Sequence, residues 1–134
     1  MRVKCEDISL IDMKFTKKAD REPGKHDIPV CLEPEYAMSS EPNDKAAKLM
    51  IRFKVGEPEN ESLPFYFSLK LAGIFSWDDL TEKEAEKEII SEGAELLLSF
   101  ARTSLYDIMG KAGLKQIILP IEHFGKDDIF SDEL

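Results

Sequence analysis

The residues of this 134-residue chain best suited to nucleophilic or metal chemistry are His26, His123, Cys5 and Cys31. Neither histidine has a partner at metal-ligand spacing, and the cysteines form no C-x-x-C pattern. The cysteines read as packed, reduced thiols, and His26-Asp27, beside a turn, reads as a surface pair rather than a catalytic dyad. Asp78-Asp79 would hold a divalent ion only weakly. Acids at a helix start, facing the positive end of its dipole, account for them better. Asp127-Asp128 and Asp132-Glu133 lack calcium-loop spacing. No H-E-x-x-H, Walker loop, G-x-S-x-G or G-x-G-x-x-G is present. The chain is therefore read as a non-enzyme, with no catalytic residue, no metal ligand and no cofactor.

The elements that would position an interaction site are clearer than any chemistry. Apolar residues alternate with period 2 in four runs. Odd positions carry Val3, Cys5, Ile11, Met13 and Phe15, interrupted by Asp7 and Ser9. Even positions carry Ile28, Val30, Leu32, Tyr36 and Met38. Ala47 to Val55 and Phe65 to Leu71 alternate again. Each run predicts a strand with one buried face. The gaps are turn chemistry, as in Glu22-Pro23-Gly24-Lys25, and too short for crossover helices. The expectation is an antiparallel four-stranded meander in a single domain, residues 1–134.

The period then changes. Thr81-Glu82-Lys83-Glu84 has capping-box form, and a helical pattern runs to about Met109, ended by Gly110-Lys111-Ala112-Gly113. Ile90, Ala94, Leu97, Ala101, Leu105 and Ile108 form the stripe expected to cover the sheet. Ile89, Leu96 and Phe100 form a second, narrow stripe. Scattered apolar surface residues are ordinary. A helix of roughly 42 Å over eight-residue strands of about 26 Å would however overhang, unless Gly93 kinks it. Length and stripe together predict a second buried face, against another subunit. The remainder is a short apolar extended piece, residues 117–121, and an acidic end.

Acids number 27 and bases 18, a net charge of −9, beside 43% hydrophobic residues. That balance excludes unspecific nucleic-acid binding and disfavours anionic membranes. No apolar run is long enough to span a bilayer. The start, Met1 to Asp7, is too charged for a signal peptide, so a cytoplasmic protein is expected. Without catalytic residues, the notable property is apolar surface that a monomer would leave open: the second helix stripe, the 117–121 piece, and Phe75, Trp77, Phe124 and Phe130.

Several segments resemble the SecB family of export chaperones. Leu71-Ala72-Gly73-Ile74-Phe75-Ser76 resembles its A-G-I-F-S segment. Glu92-Gly93-Ala94 followed by Ser99-Phe100-Ala101-Arg102 looks like its helix, with G-A and then an aromatic-A-R. Leu119-Pro120-Ile121 with Phe124 is similar to its L-x-P segment, and Asp7-Ile8-Ser9 to a D-I-S element of its first strand.

The resemblance implies an α+β fold, a four-stranded antiparallel sheet with one long helix on one face, and a homo-oligomer, dimer or dimer of dimers. It implies an ATP-independent holdase binding unfolded or precursor polypeptides in apolar grooves. Phe75, Trp77, Ile117, Leu119, Ile121, Phe124 and Phe130 are the expected client-binding groove. Phe67, Leu69, Leu71, Ile89, Leu96 and Phe100 are the expected oligomer interface. Asp7 matches one acid on which the SecA motor docks in the family. The neighbouring docking positions fall on Ile11, Tyr66 and Ser68, which departs from the family pattern. A shortened C-terminal helix at about residues 126–134 is expected. Two other readings are a dedicated antitoxin-guarding chaperone and a small-molecule carrier with a pocket beneath the helix.

Overall fold

The computed structural model describes residues 1–18, 25–38, 44–59, 63–119 and 128–133, with only the backbone for 25–27 and 128–133. Five antiparallel strands form one sheet: β1 (Lys4–Lys17), β2 (Lys25–Met38), β3 (Ala46–Val55), β4 (Phe65–Ser76) and β5 (Asp128–Glu133). The spatial order is β1-β4-β3-β2-β5. Only β2, β3 and β4 are a meander. β1 lies beside β4, a Greek-key arrangement, where sequential neighbours were expected.

Alternation sorts the faces. Leu49, Ile51, Phe53 and Val55 of β3 and Phe67, Leu69 and Phe75 of β4 are buried on one face. Register sets Phe53 opposite Leu69, and Leu32 of β2 opposite Phe53. The other face carries charge: Arg52 donates to Ser68 Oγ at 3.0 Å and pairs with Asp12 at 3.4 Å.

In β1 the interrupted alternation has a cause. Register shifts occur between Cys5 and Asp7 and between Leu10 and Asp12. Each inserts one residue, Glu6 and Ile11, which flips the face that follows. Cys5, Ile8, Leu10, Met13 and Phe15 therefore share the core face, opposite Phe75, Gly73, Leu71, Leu69 and Phe67. Ile11, expected inward, is the extra residue of a bulge and stands exposed.

Helix α1 (Glu82–Glu88), a π-helical turn (Ile89–Gly93) and α2 (Ala94–Lys111) run as one continuous helix over β3 and β4. The capping box forms: Thr81 Oγ1 accepts from Glu84 N–H at 3.2 Å, and Glu84 Oε1 accepts from Thr81 N–H at 3.1 Å. Gly113 at φ +76° closes the helix, with Leu114 N–H donating to Met109 O at 3.0 Å. A π turn, and not a kink, occupies the helix up to Gly93. Its extra residue rotates everything after it by one position, so the inward series runs Ala85, Ile89, Ala94, Leu97, Leu98, Ala101, Leu105, Met109. Ile89 and Ile90 thus exchange their expected places: Ile89 is fully buried and Ile90 exposed. The expected overhang also shrinks. The 12 residues of β4 span roughly 41 Å, close to the roughly 45 Å of the helix.

The N-terminal residues are clamped to α1 by Glu88. Its Oε1 accepts from Val3 N–H at 2.7 Å and from Arg2 N–H, and Oε2 pairs with the Arg2 guanidinium at 3.4 Å. These bonds, the Val3 N–H foremost, hold the Glu88 carboxyl below its ordinary value of 4.5. A lowered carboxyl stabilises the fold above the unfolded pKa, and that contribution is lost as pH falls through the folded one. Glu88→Gln should therefore melt a few degrees below wild type at pH 7, with a smaller difference at acidic pH. An equal difference at both pH values would contradict the clamp.

The C-terminal segment is a strand, where a short helix was expected. β5 pairs along Lys25–Val30 of β2, with Phe130 opposite Ile28. No helix among the described residues is long and apolar enough to cross a membrane.

Candidate interaction surface

Much of the apolar surplus is consumed by the chain's own core. Of the expected groove residues, Phe75, Trp77, Ile117 and Leu119 are buried within the single chain. Phe75 has a specific seat. A Cβ on Gly73 would lie 2.8 Å from its Cε2, and one on Gly93 would lie 3.1 Å from its Cζ. The two glycines open a notch between β4 and the helix, and the ring fills it. Ile121 and Phe124 lie outside the described residues, as does the side chain of Phe130.

The expected interface residues divide similarly. Phe67, Leu69, Leu71 and Ile89 are interior. Leu96 is partly buried and Phe100 is 50% exposed on the outer side of α2. The three β4 residues have a consequence at the surface, because Phe15, Met13 and Leu10 stand directly opposite them on β1. Asp7 is exposed on the charged face of β1.

Two apolar surfaces stay open. The first is β1. Its pairs run to β4 alone, so its other edge is unpaired among the described residues. The helix lies over β3 and β4. Leu10, Ile11 and Met13 are accordingly exposed by 55%, 52% and 42%. A long edge with exposed apolar side chains is a template for strand addition. Leu10 went unnoticed in the sequence because its even number breaks the odd-numbered run; the signal was the Asp7 and Ser9 interruption.

The second surface is the helix and the segment that follows it. Ile90, Phe100 and Tyr106 are exposed on the helix, and Ile118 beside it. Gln116 Nε2 donates to Tyr106 O at 2.9 Å and holds that segment against α2. Arg102, Thr103, Tyr106 and Ile118 line a cleft of about 190 Å³ there. In the 117–121 piece, Ile118 alternates outward between buried Ile117 and Leu119, so the open residue is the one between those expected to be.

The arrangement offers little to chemistry. Cys5 and Cys31 are half-buried, and burial pushes the Cys5 thiol up from its ordinary value. Among the described residues no group of three His, Cys, Asp or Glu could hold a metal ion. The space between helix and sheet is filled by Phe53, Phe67, Phe75, Leu97 and Leu105.

Comparison with solved structures places the fold. The SecB-like chaperone of Mycobacterium tuberculosis, solved in complex with a peptide from the HigA1 antitoxin, superposes with a TM-score of 0.69 at 20% identity, over 91% of this chain and 88% of that one. A protein of unknown function from Streptococcus agalactiae gives a TM-score of 0.57 at 11% identity, over 88% of this chain and 96% of that one. No curated protein is significantly similar in sequence. The family model described as preprotein translocase subunit SecB matches residues 7–131. With its α+β architecture of antiparallel sheet and one long helix, this chain belongs to the SecB family.

Proposed function

We propose that this protein is an ATP-independent holdase that binds unfolded or precursor polypeptides in the cytoplasm. The observation that carries the reading is open apolar surface on a SecB-family chain: Tyr106 and Ile118 beside the helix, apart from the surfaces at Leu10, Ile11, Met13 and Phe100 that further copies would cover. Non-native chains present apolar side chains and unpaired backbone, and such surfaces bind both without covalent chemistry. The net charge of −9 keeps the unoccupied surface soluble and favours basic segments.

The assembly that fits is a homo-oligomer, dimer or dimer of dimers. Two β1 edges paired about a two-fold axis would cover Leu10, Ile11 and Met13 isologously. Leu96 and Phe100 would meet a further copy. In this reading Phe67, Leu69 and Leu71 affect assembly from within, by backing β1. The groove lies beside residues 116–119, with Ile118 and Tyr106 as its open members. Ile117 and Leu119, buried on either side of Ile118, back it, while Phe75 and Trp77 belong to the core near the start of the helix.

In an aggregation assay without nucleotide, a few equivalents of protein should suppress light scattering by an unfolded client. No effect at large excess would overturn the proposal. A second reading is a dedicated antitoxin-guarding chaperone. Its support is the Mycobacterium tuberculosis structure with its antitoxin peptide. The sparse match to motor-docking acids, Asp7 with Tyr66 and Ser68 at the other positions, points the same way. Capture from cells distinguishes them: one dominant partner favours the dedicated chaperone, many precursors the general holdase.

A further inference from the structure

We propose that Arg102 and the cleft beside it recognise a carboxylate on the bound polypeptide, next to an apolar side chain. The inference rests on the holdase reading and names a chemical preference of its groove.

Arg102 sits on the flank of α2, between the core stripe and the exposed side. Its Nε and Nη1 are shielded from solvent and have no hydrogen-bond partner among the described residues. A guanidinium is charged at every physiological pH and carries five donors in a rigid fork. Shielding such donors without an acceptor is costly. In a chain with 27 acids and 18 bases, a carboxylate partner would have been easy to supply internally. No acceptor among the described residues meets that need, and Arg102 borders the cleft formed with Thr103, Tyr106 and Ile118.

The cleft defines what that acceptor is attached to. Tyr106 is 42% exposed and Ile118 68%, and with Thr103 they border the guanidinium. At about 190 Å³ the cleft falls below the range typical of small-molecule and cofactor sites. It suits one or two side chains of an extended segment. An apolar side chain would lie on Ile118 and the Tyr106 ring, and a neighbouring Asp, Glu or C-terminal carboxylate would meet the fork. Paired hydrogen bonds to a carboxylate are the geometry that guanidinium matches best. The overall negative charge repels acidic segments elsewhere on the surface, so this flank would set register as well as affinity.

The test uses two fluorescent peptides of the same apolar sequence, one with a Glu and one with Gln in its place. Both are titrated with wild-type protein, Arg102→Gln and Arg102→Lys. Wild type should bind the Glu peptide about tenfold more tightly than the Gln peptide, the scale of one charge-assisted hydrogen bond. Arg102→Gln should bind both peptides alike, and Arg102→Lys should keep part of the preference. The melting temperature of Arg102→Gln should not fall, since an unpaired charge is removed. Equal binding of both peptides by wild type, or a preference retained in Arg102→Gln, overturns the inference and leaves the holdase reading standing. Binding of neither peptide overturns both. An oligomer mass that falls in Arg102→Gln assigns the guanidinium to a second copy and overturns the inference.

Discussion

Phe75→Ala should destabilise the protein by about 3–5 kcal/mol, the range for removing a buried phenylalanine from a packed core. The ring is fully buried in the notch made by Gly73 and Gly93, so neighbouring side chains cannot close the space by small rotations. The same notch makes the three positions interdependent. Gly93→Ala would place a methyl 3.1 Å from Phe75 Cζ and force a shift. In the Phe75→Ala background that methyl meets a void, so its cost should fall or reverse sign. Denaturant unfolding of the two single variants and the double variant gives the coupling. A Phe75→Ala loss below about 1 kcal/mol, or strictly additive costs, would contradict the packing described. The A-G-I-F-S and G-A segments thus have a structural reason to occur together: each supplies one wall or the filling of a single helix–sheet contact.

Phe100→Asp should dissociate the homo-oligomer proposed above. The side chain is 50% exposed in the single chain and lies on the outer side of α2, near partly buried Leu96. Burying a phenylalanine contributes about 1.5–3 kcal/mol, and in a two-fold interface each substitution counts twice. A carboxylate in its place adds a desolvation cost. Dissociation should therefore strengthen by a hundredfold or more, the scale of about 3 kcal/mol. Light scattering coupled to sizing should show the mass falling to half or less at micromolar concentration. An unchanged mass would refute an interface on this helix face. Since Phe100 is half exposed in the single chain and not part of the buried core, the melting temperature of the Phe100→Asp monomer provides the control for folding.

The fold class was legible because period 2 gave way to period 3.6 at a capping box, and both signals are local. What was not legible depended on single inserted residues or on long-range pairing. In β1, two bulges flip the facing twice, so Ile11 reads as core by odd numbering and is exposed, while Leu10 reads as surface and shares the core face. In the helix, one extra residue in the π turn makes Ile89 buried and Ile90 exposed, the reverse of a uniform 100° progression. Nothing local tells β1 to pair with β4 rather than β2; the Greek-key order is chosen by burial in the assembled sheet. The acidic end conceals a strand because Ile129 and Phe130 are adjacent, and the edge of β2 rather than their own pattern fixes them.

The candidate surface was legible as a property and less so as a list. The surplus of apolar residues was visible, and Leu96 and Phe100 remain at the surface. Phe75, Trp77, Ile117 and Leu119 are large and apolar, which marks a residue for burial of any kind, and the chain's own core claims them. Open surface arises where alternation turns the neighbouring residue outward, as at Ile118, or where a helix stops short of an edge strand, as over Leu10 and Met13. Neither can be assigned before the sheet order is known. Arg102 belongs to the aromatic-A-R segment, and only the folded chain shows its Nε and Nη1 without an acceptor among the described residues.

The central claim, that this SecB-family protein holds non-native polypeptide on open apolar surface, is tested most directly by a binding titration. A labelled, permanently unfolded polypeptide is titrated with the protein without nucleotide, and fluorescence anisotropy is followed. Saturable binding is expected, with the native form of the same polypeptide left unbound. A flat titration with the unfolded chain, or equal binding of the native one, would contradict it.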